Sequence, residues 1–167
     1  RSTVDFDPGI GTQLHTSSGY DDIYIAKLTT NGDFSWSKSI GGIGYDEGRA
    51  ITVDNNGNVY STGGFEETAD FDPGVGTNNL TNDGYKNAYI NKLDSNGDFI
   101  WAKGLNGNGS SLINGLSIAL DLSQNIFVQG EFQGSADFDP DGGIQNYSSN
   151  GGLDIFIEKL DNNGAFI

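Results

Sequence analysis

Asp5-Phe6-Asp7-Pro8-Gly9 returns as Asp70-Phe71-Asp72-Pro73-Gly74 and again as Asp137-Phe138-Asp139-Pro140-Asp141. The copies stand 65 and 67 residues apart and hold all three prolines of the chain. Working outward, the next stretch recurs as Tyr24-Ile25-Ala26-Lys27-Leu28, Tyr89-Ile90-Asn91-Lys92-Leu93 and Phe156-Ile157-Glu158-Lys159-Leu160, each followed by an Asn-Gly pair at 31–32, 96–97 and 163–164. A fixed period of this length means one supersecondary unit used repeatedly. Asn-Gly after an alternating run reads as a tight hairpin. The second interval's two extra residues fall between Lys103 and Gly115, which places that stretch in an exposed connection.

Each unit reads as four strands. In the middle copy they run about Arg49 to Asp54, Val59 to Phe65, Ala88 to Leu93 and Phe99 to Leu105, with the Asp-Phe-Asp-Pro segment as a long loop between the second and third. Ile51 and Val53 alternate with Ala50 and Thr52, and Ile25 and Lys27 lie opposite Tyr24, Ala26 and Leu28. Strands apolar on both faces suit sheets stacked between other sheets, whereas a β-sandwich should alternate apolar-in with polar-out. The expected fold is therefore all-β, part of a β-propeller of four-stranded antiparallel blades, with about two and a half repeats of 65–67 residues. The expected division is 1–40 as the outer half of a partial blade, 41–105 as a complete blade and 106–167 as a truncated one. A partial ring leaves apolar faces and strand edges open, so such a piece is expected to associate. With Arg1 at its start and no Met anywhere, the chain reads as a mature or excised piece.

Composition narrows the function. The 167 residues carry 23 acidic against 8 basic side chains, a net charge of −15, which argues against a nucleic-acid surface. No stretch is long and apolar enough for a membrane-spanning helix. The acids are 18 Asp and 5 Glu, beside 26 Gly and 18 Asn, a bias that belongs to turns. There is no Cys, hence neither a disulfide framework nor a thiolate site. His15 is the one histidine; it reads as a polar-loop residue and excludes a His-based metal cluster within the chain.

Asp54-Asn55-Asn56-Gly57-Asn58-Val59-Tyr60, Gly63 with Phe65, the Asp-Phe-Asp-Pro-Gly motif, and Lys-Leu-Asp-x-Asn-Gly with Trp101 together resemble the bacterial β-propeller repeat family, often described as seven-bladed, of large secreted and surface proteins. The resemblance implies a propeller and an extracellular or bacterial cell-surface setting. The chain departs from the pattern at Gln124, where it has Gly57, and at Asp141, where it has Gly.

The candidate ligand-binding residues are the acidic pairs Asp5 and Asp7, Asp70 and Asp72, and Asp137 and Asp139. In an extended segment positions i and i+2 point the same way, so each pair presents two carboxylates while the Phe between them turns inward. Two readings stay open: Asx-type turns that accept backbone N–H bonds, or Ca²⁺ held with loop carbonyls. The Asp94, Asn96, Asp98 turn has oxygens at loop positions 1, 3 and 5, but Leu105 stands where a calcium loop needs Glu, so it reads as a hairpin. Trp36 and Trp101 read as blade-docking residues, and the recurrent lysines as partly buried stems with ammonium groups near Asp. Tyr45 and Tyr147 stand outside the repeat columns as exposed contact candidates. No catalytic constellation emerges. The expected role is a non-enzymatic interaction or scaffold module of a secreted or cell-surface bacterial propeller protein. Its expected partners are further blades of the same protein or another chain, and a protein or glycan ligand. The alternative is part of an extracellular carbohydrate-binding or carbohydrate-active protein whose site lies outside these residues.

Overall fold

The computed structural model describes residues 2–167; Arg1, the first residue of the expected 1–40 unit, lies outside the described residues. Fifteen strands follow one another: β1 (Thr3–Asp5), β2 (Leu14–Thr16), β3 (Ile23–Leu28), β4 (Phe34–Gly42), β5 (Glu47–Val53), β6 (Val59–Phe65), β7 (Thr68–Asp70), β8 (Asn79–Thr81), β9 (Asn87–Leu93), β10 (Phe99–Gly107), β11 (Leu112–Leu120), β12 (Ile126–Gln133), β13 (Ser135–Asp137), β14 (Asn146–Ser148) and β15 (Asp154–Leu160). No helix occurs among the described residues. The fold is all-β, with antiparallel sheets of the propeller type.

The middle blade shows how the sequence builds the unit. β5, β6, β9 and β10 pair antiparallel in that spatial order. Their turns are closed by Asp54 and Asp94, whose carbonyls accept from Gly57 and Gly97 at 3.0 Å each. Those glycines sit at φ +83° and +81°, the left-handed region that hairpin turns require. Gln124 takes the same conformation at φ +65° and still donates its N–H to the Asp121 carbonyl, so the departure from Gly leaves the turn intact at a cost in backbone strain. Bulges recur at equivalent places, between Lys27 and Leu28 and again between Phe99 and Trp101, and between Gly48 and Ala50 and again between Gly115 and Ser117. Each adds local twist to its blade.

The Asp-Phe-Asp-Pro segments differ from the expected loops. Each lies at the tip of a short hairpin, β1–β2, β7–β8 or β13–β14. Two of these hairpins cross to the outer strand of the preceding blade. β7 pairs with the end of β4 through Ala69 with Gly42 and Asp70 with Gly41, and β13 pairs with the end of β10 through Ala136 with Gly107 and Asp137 with Asn106. Outer strands therefore run on to Gly42 and Gly107, past the expected end at Leu105. The close approach needs glycine, because a Cβ on Gly42 would run into the Thr68 carbonyl.

Two cores fill the joints between blades. The first joint buries Ile23, Ile25 and Ile40 of the first blade against Val59, Phe65, Phe71, Tyr89 and Leu93. The second buries Tyr60, Ile90 and Leu105 of the middle blade against Ile113, Ile126, Val128, Phe138 and Leu160. All seven residues of β9 are buried, because both of its faces are covered.

Candidate functional site

The recurrent polar residues gather at the joints. Trp36 Nε1 donates to the Ser95 carbonyl of the next blade at 3.1 Å, and Lys27 Nζ donates to the same oxygen at 2.8 Å. At the second joint Lys92 Nζ reaches the Asn162 carbonyl at 3.2 Å and its Oδ1 at 2.6 Å. Lys92 also lies 4.9 Å from the centre of the Tyr60 ring, and Trp101 meets Tyr60 edge-on at 6.4 Å. Lys27 and Lys92 thus donate to turn oxygens instead of to carboxylates, with the Asp54 and Asp161 charges near Lys92. The fourth-strand lysines do meet carboxylates: Lys38 pairs with Asp98 at 3.2 Å, and Lys103 with Asp141. Asp141, the departure from the repeat pattern, has become a joint residue.

The acidic pairs serve the hairpin tips. Asp5 Oδ1 accepts from Asp7 N at 3.1 Å and Gln13 N at 2.8 Å, while Asp7 Oδ1 accepts from Gly9 N at 2.7 Å. Asp70 accepts from Asp72 and Asn78, Asp72 from Gly74, Asp137 from Asp139 and Gln145, and Asp139 from Asp141, in the same arrangement. The Gln13 N–H, then the Asp7 N–H, hold the Asp5 carboxyl below its ordinary value. Phe6, Phe71 and Phe138 turn inward onto the third-strand aromatics Tyr24, Tyr89 and Phe156, with ring centres 4.5–4.9 Å apart. Each pair keeps its second oxygens outside these backbone bonds, and no group of three or more His, Cys, Asp or Glu side chains among the described residues is arranged to hold a metal ion.

Two buried carboxylates escaped the sequence reading. Asp46, 1% exposed, accepts from Gly42 N at 2.6 Å beneath the strap formed by β7, and burial pushes its carboxyl up to about 6. Glu158 is 3% exposed and neither of its oxygens has a hydrogen-bond partner. Burial, reinforced by the Asp139 charge, pushes it up to about 8. It lines a cleft of about 530 Å³ with Tyr147, Ile155, Phe156, Ile157 and Phe166. Only the break in a repeat column, Ala26, Asn91, Glu158, hints at Glu158 in the sequence.

The remaining candidates are placed as follows. His15 lies in β2, with Nε2 2.8 Å from Ser37 Oγ and its ring beside Phe6; it is a packing residue of the hairpin and not a loop residue. Tyr45 is exposed and stacks on Tyr20 at 4.7 Å with a 7° interplanar angle. Tyr147 is exposed on β14 with one face toward Phe138.

A sequence family described as a β-propeller repeat (SBBP) matches residues 36–63. That span starts in the outer strand of one blade and ends in the second strand of the next, so the matched unit straddles the first joint. The uncharacterized WD repeat-containing protein L264 of Acanthamoeba polyphaga mimivirus is 26% identical over 123 residues. The match takes in 65% of this chain and 9% of that protein's length.

Proposed function

We propose that the chain is a non-enzymatic scaffold and interaction module, carried by a secreted or cell-surface bacterial protein. One observation carries the reading: at both joints the recurrent Trp and Lys residues are committed to holding one blade on the next. A site for chemistry is needed once, whereas these groups recur at both joints, Trp36 and Trp101 each packing on the glycine turn of the next blade although only Trp36 Nε1 finds an acceptor there. The bacterial surface setting rests on the resemblance of the repeat. Glycan binding is the second reading, favoured by the exposed parallel stack of Tyr20 on Tyr45, which offers a flat aromatic face. The test is a glycan array together with a polysaccharide hydrolysis screen on the purified chain. The expected result is neither retention nor release of reducing ends. Saturable binding that Tyr20→Ala and Tyr45→Ala remove would replace the scaffold reading with the second one.

A further inference from the structure

Asn-Gly pairs recur through the chain, and the fold treats one of them differently. At 31–32, 56–57, 96–97 and 163–164 the glycine ends a four-residue turn, and its N–H closes that turn by donating to the Thr29, Asp54, Asp94 or Asp161 carbonyl at 2.9–3.0 Å. Gly107 donates to Asn87 Oδ1 at 3.1 Å, and Gly115 is buried within β11. Asn108-Gly109 is reversed. There Asn108 begins the turn, which Ser111 N closes on the Asn108 carbonyl at 3.1 Å, and Gly109 follows it at φ +59°. Among the described residues the Gly109 N–H has no acceptor and the Asn108 side chain has no hydrogen-bond partner.

Both residues are exposed, and a Cβ on Gly109 would meet nothing within 4 Å, so the Asn108 side chain has room to fold back on the main chain. The same loop is fastened to the second joint through Asn108. Its N–H donates to the Ser135 carbonyl of β13 at 3.3 Å. Ser111 Oγ lies 2.7 Å from the Asn108 carbonyl and 2.9 Å from the Ser135 carbonyl, sharing its proton between them, and accepts from Ser135 N at 3.2 Å. Ser111 is 2% exposed, so this fastening is sealed from water. The first joint has no counterpart, because Gly41-Gly42-Ile43-Gly44-Tyr45 contains no asparagine. The Gly151 N–H also lacks an acceptor among the described residues, but Asn150 makes no hydrogen bond across a joint there.

We propose that Asn108 is a self-modification site whose conversion to isoaspartate unfastens this loop from β13. The Gly109 nitrogen gives its proton to hydroxide and bonds to Asn108 Cγ, the Cγ–Nδ2 bond breaks, and ammonia leaves. Water then opens the resulting succinimide at either carbonyl. One product is aspartate on an unaltered backbone; the other is isoaspartate, in which the main chain runs through Cβ. The inserted methylene displaces the carbonyl that Ser111 N and Oγ use, and the new carboxylate adds a negative charge to a chain already at −15. At the four hairpin pairs the glycine N–H must first leave its carbonyl, which holds the same reaction back. Ammonia is lost, so the amide does not return, and the change accumulates with age at one joint alone. The conversion requires no ligand and goes beyond the scaffold reading.

The test ages the purified chain at mildly alkaline pH, in native buffer and in denaturant, and maps its peptides by mass with isoaspartate detection. In native buffer Asn108 should convert faster than Asn31, Asn56, Asn96 and Asn163 by about two- to ten-fold, the population cost of the one backbone hydrogen bond those turns must break. In denaturant the five sites should react alike, since each precedes a glycine. Amide exchange at Ser111 and Ser135 should quicken in the aged chain in proportion to its isoaspartate at 108. Asn108→Gln, whose longer side chain closes the ring far more slowly, should age with no change at those amides. Freshly purified Asn108→Asp, which carries the charge on an unaltered backbone, should exchange like the parent. An Asn108 that reacts no faster than the four hairpin asparagines in native buffer overturns the proposal, as does a ranking that denaturant leaves unchanged. So does isoaspartate at 108 that leaves both amides protected, an Asn108→Gln chain whose amides loosen equally with age, or a fresh Asn108→Asp chain that is already loose.

Discussion

The first and second joints are built from the same repeat, yet they place their charges differently. In the first, Lys38 meets Asp98 in the turn between third and fourth strands. In the second, that turn position is Ala165, and Lys103 meets Asp141 on the hairpin tip, where the earlier copy has Gly74. The strap is capped by a similar exchange. Gly42 N bonds to Asp46 at the first joint, while Gly107 N bonds to Asn87 at the second at 3.1 Å, and Ile113, which takes the place of Asp46, is buried in the core. Each joint keeps a partner for its lysine and for its strap N–H but draws it from another element. The repeat therefore preserves an interaction, not a residue.

The largest expected effect separates a sealed copy of the Asp-Phe-Asp-Pro motif from an open one. Phe71 is fully buried in the first joint, and Phe71→Ala should cost about 3–5 kcal/mol by leaving a cavity among Phe65, Tyr89 and the hairpin. Phe6→Ala, the same change on the open face, should cost less than half as much under conditions where the chain is monomeric. Denaturant melts of both variants measure the difference. Equal losses would mean that the hairpin and not the joint confers the burial.

Next in size is the pH response of the second joint. Glu158 is raised from 4.5 to about 8, so the folded state holds its proton more tightly than the unfolded state. The stability it allows is fully present below about pH 4.5 and is lost as pH rises through 8. Asp46 acts in the same sense between its ordinary 3.8 and about 6. Glu158→Gln should match the parent near pH 4.5 and exceed it at pH 9 by on the order of 2–4 kcal/mol. Parallel melting curves across that range would place the Glu158 carboxyl in contact with solvent. The equivalent residue in the first joint, Asn91, does not titrate, so this response belongs to one joint alone.

The repeat, the four strands per blade and the docking tryptophan could be read directly from the sequence because they recur in register. Val59–Phe65 was legible to the residue, and Trp36 docks on the neighbouring turn as the repeat implied. The straps were not, since strands of three residues carry too little alternation to announce themselves. Their signal was a faint one, the hydroxyl columns Thr3 with Thr16, Thr68 with Thr81 and Ser135 with Ser148, which face each other across each hairpin. Asp46 and Glu158 were illegible for another reason. Repeat comparison exposes what is shared, and a buried carboxylate present in a single copy looks like drift until its surroundings are known.

A smaller effect tests the exchange of carboxylates itself. Asp141→Gly should weaken the second joint by at most about 1 kcal/mol, since exposed and half-exposed ion pairs contribute little. Adding Ala165→Asp recreates the first joint's arrangement, and the double variant should recover most of the loss. Asp98→Ala in the first joint should cost only a few tenths of a kcal/mol, because Asp98 is 70% exposed. Melts of the four chains at low and high salt decide the matter. A double variant no more stable than Asp141→Gly would show that Lys103 needs the hairpin tip and not merely a nearby carboxylate.

The smallest expected effect is none at all, and it concerns Ca²⁺ at the acidic hairpin tips. One oxygen of each aspartate in Asp5 and Asp7, Asp70 and Asp72, and Asp137 and Asp139 already accepts backbone N–H bonds within its own hairpin. A calcium ion takes 6 to 8 oxygens, and extracellular modules hold it at roughly 10⁻⁴ to 10⁻³ M. These pairs leave it only the second oxygen of each carboxylate, and no third acidic side chain joins any pair among the described residues. The expected outcome is that melts in millimolar Ca²⁺ and in excess chelator coincide for the parent. Binding to the folded state alone would instead raise the melt by mass action. Asp70→Asn and Asp72→Asn sharpen the reading, because an amide oxygen still accepts the Asp72, Gly74 and Asn78 N–H bonds but is a poorer calcium ligand. The pair of substitutions should therefore leave the parent's stability nearly unchanged in either buffer. A calcium-dependent rise in the parent that the two substitutions abolish would make the three tips metal sites, and the turn would then be what positions their ligands.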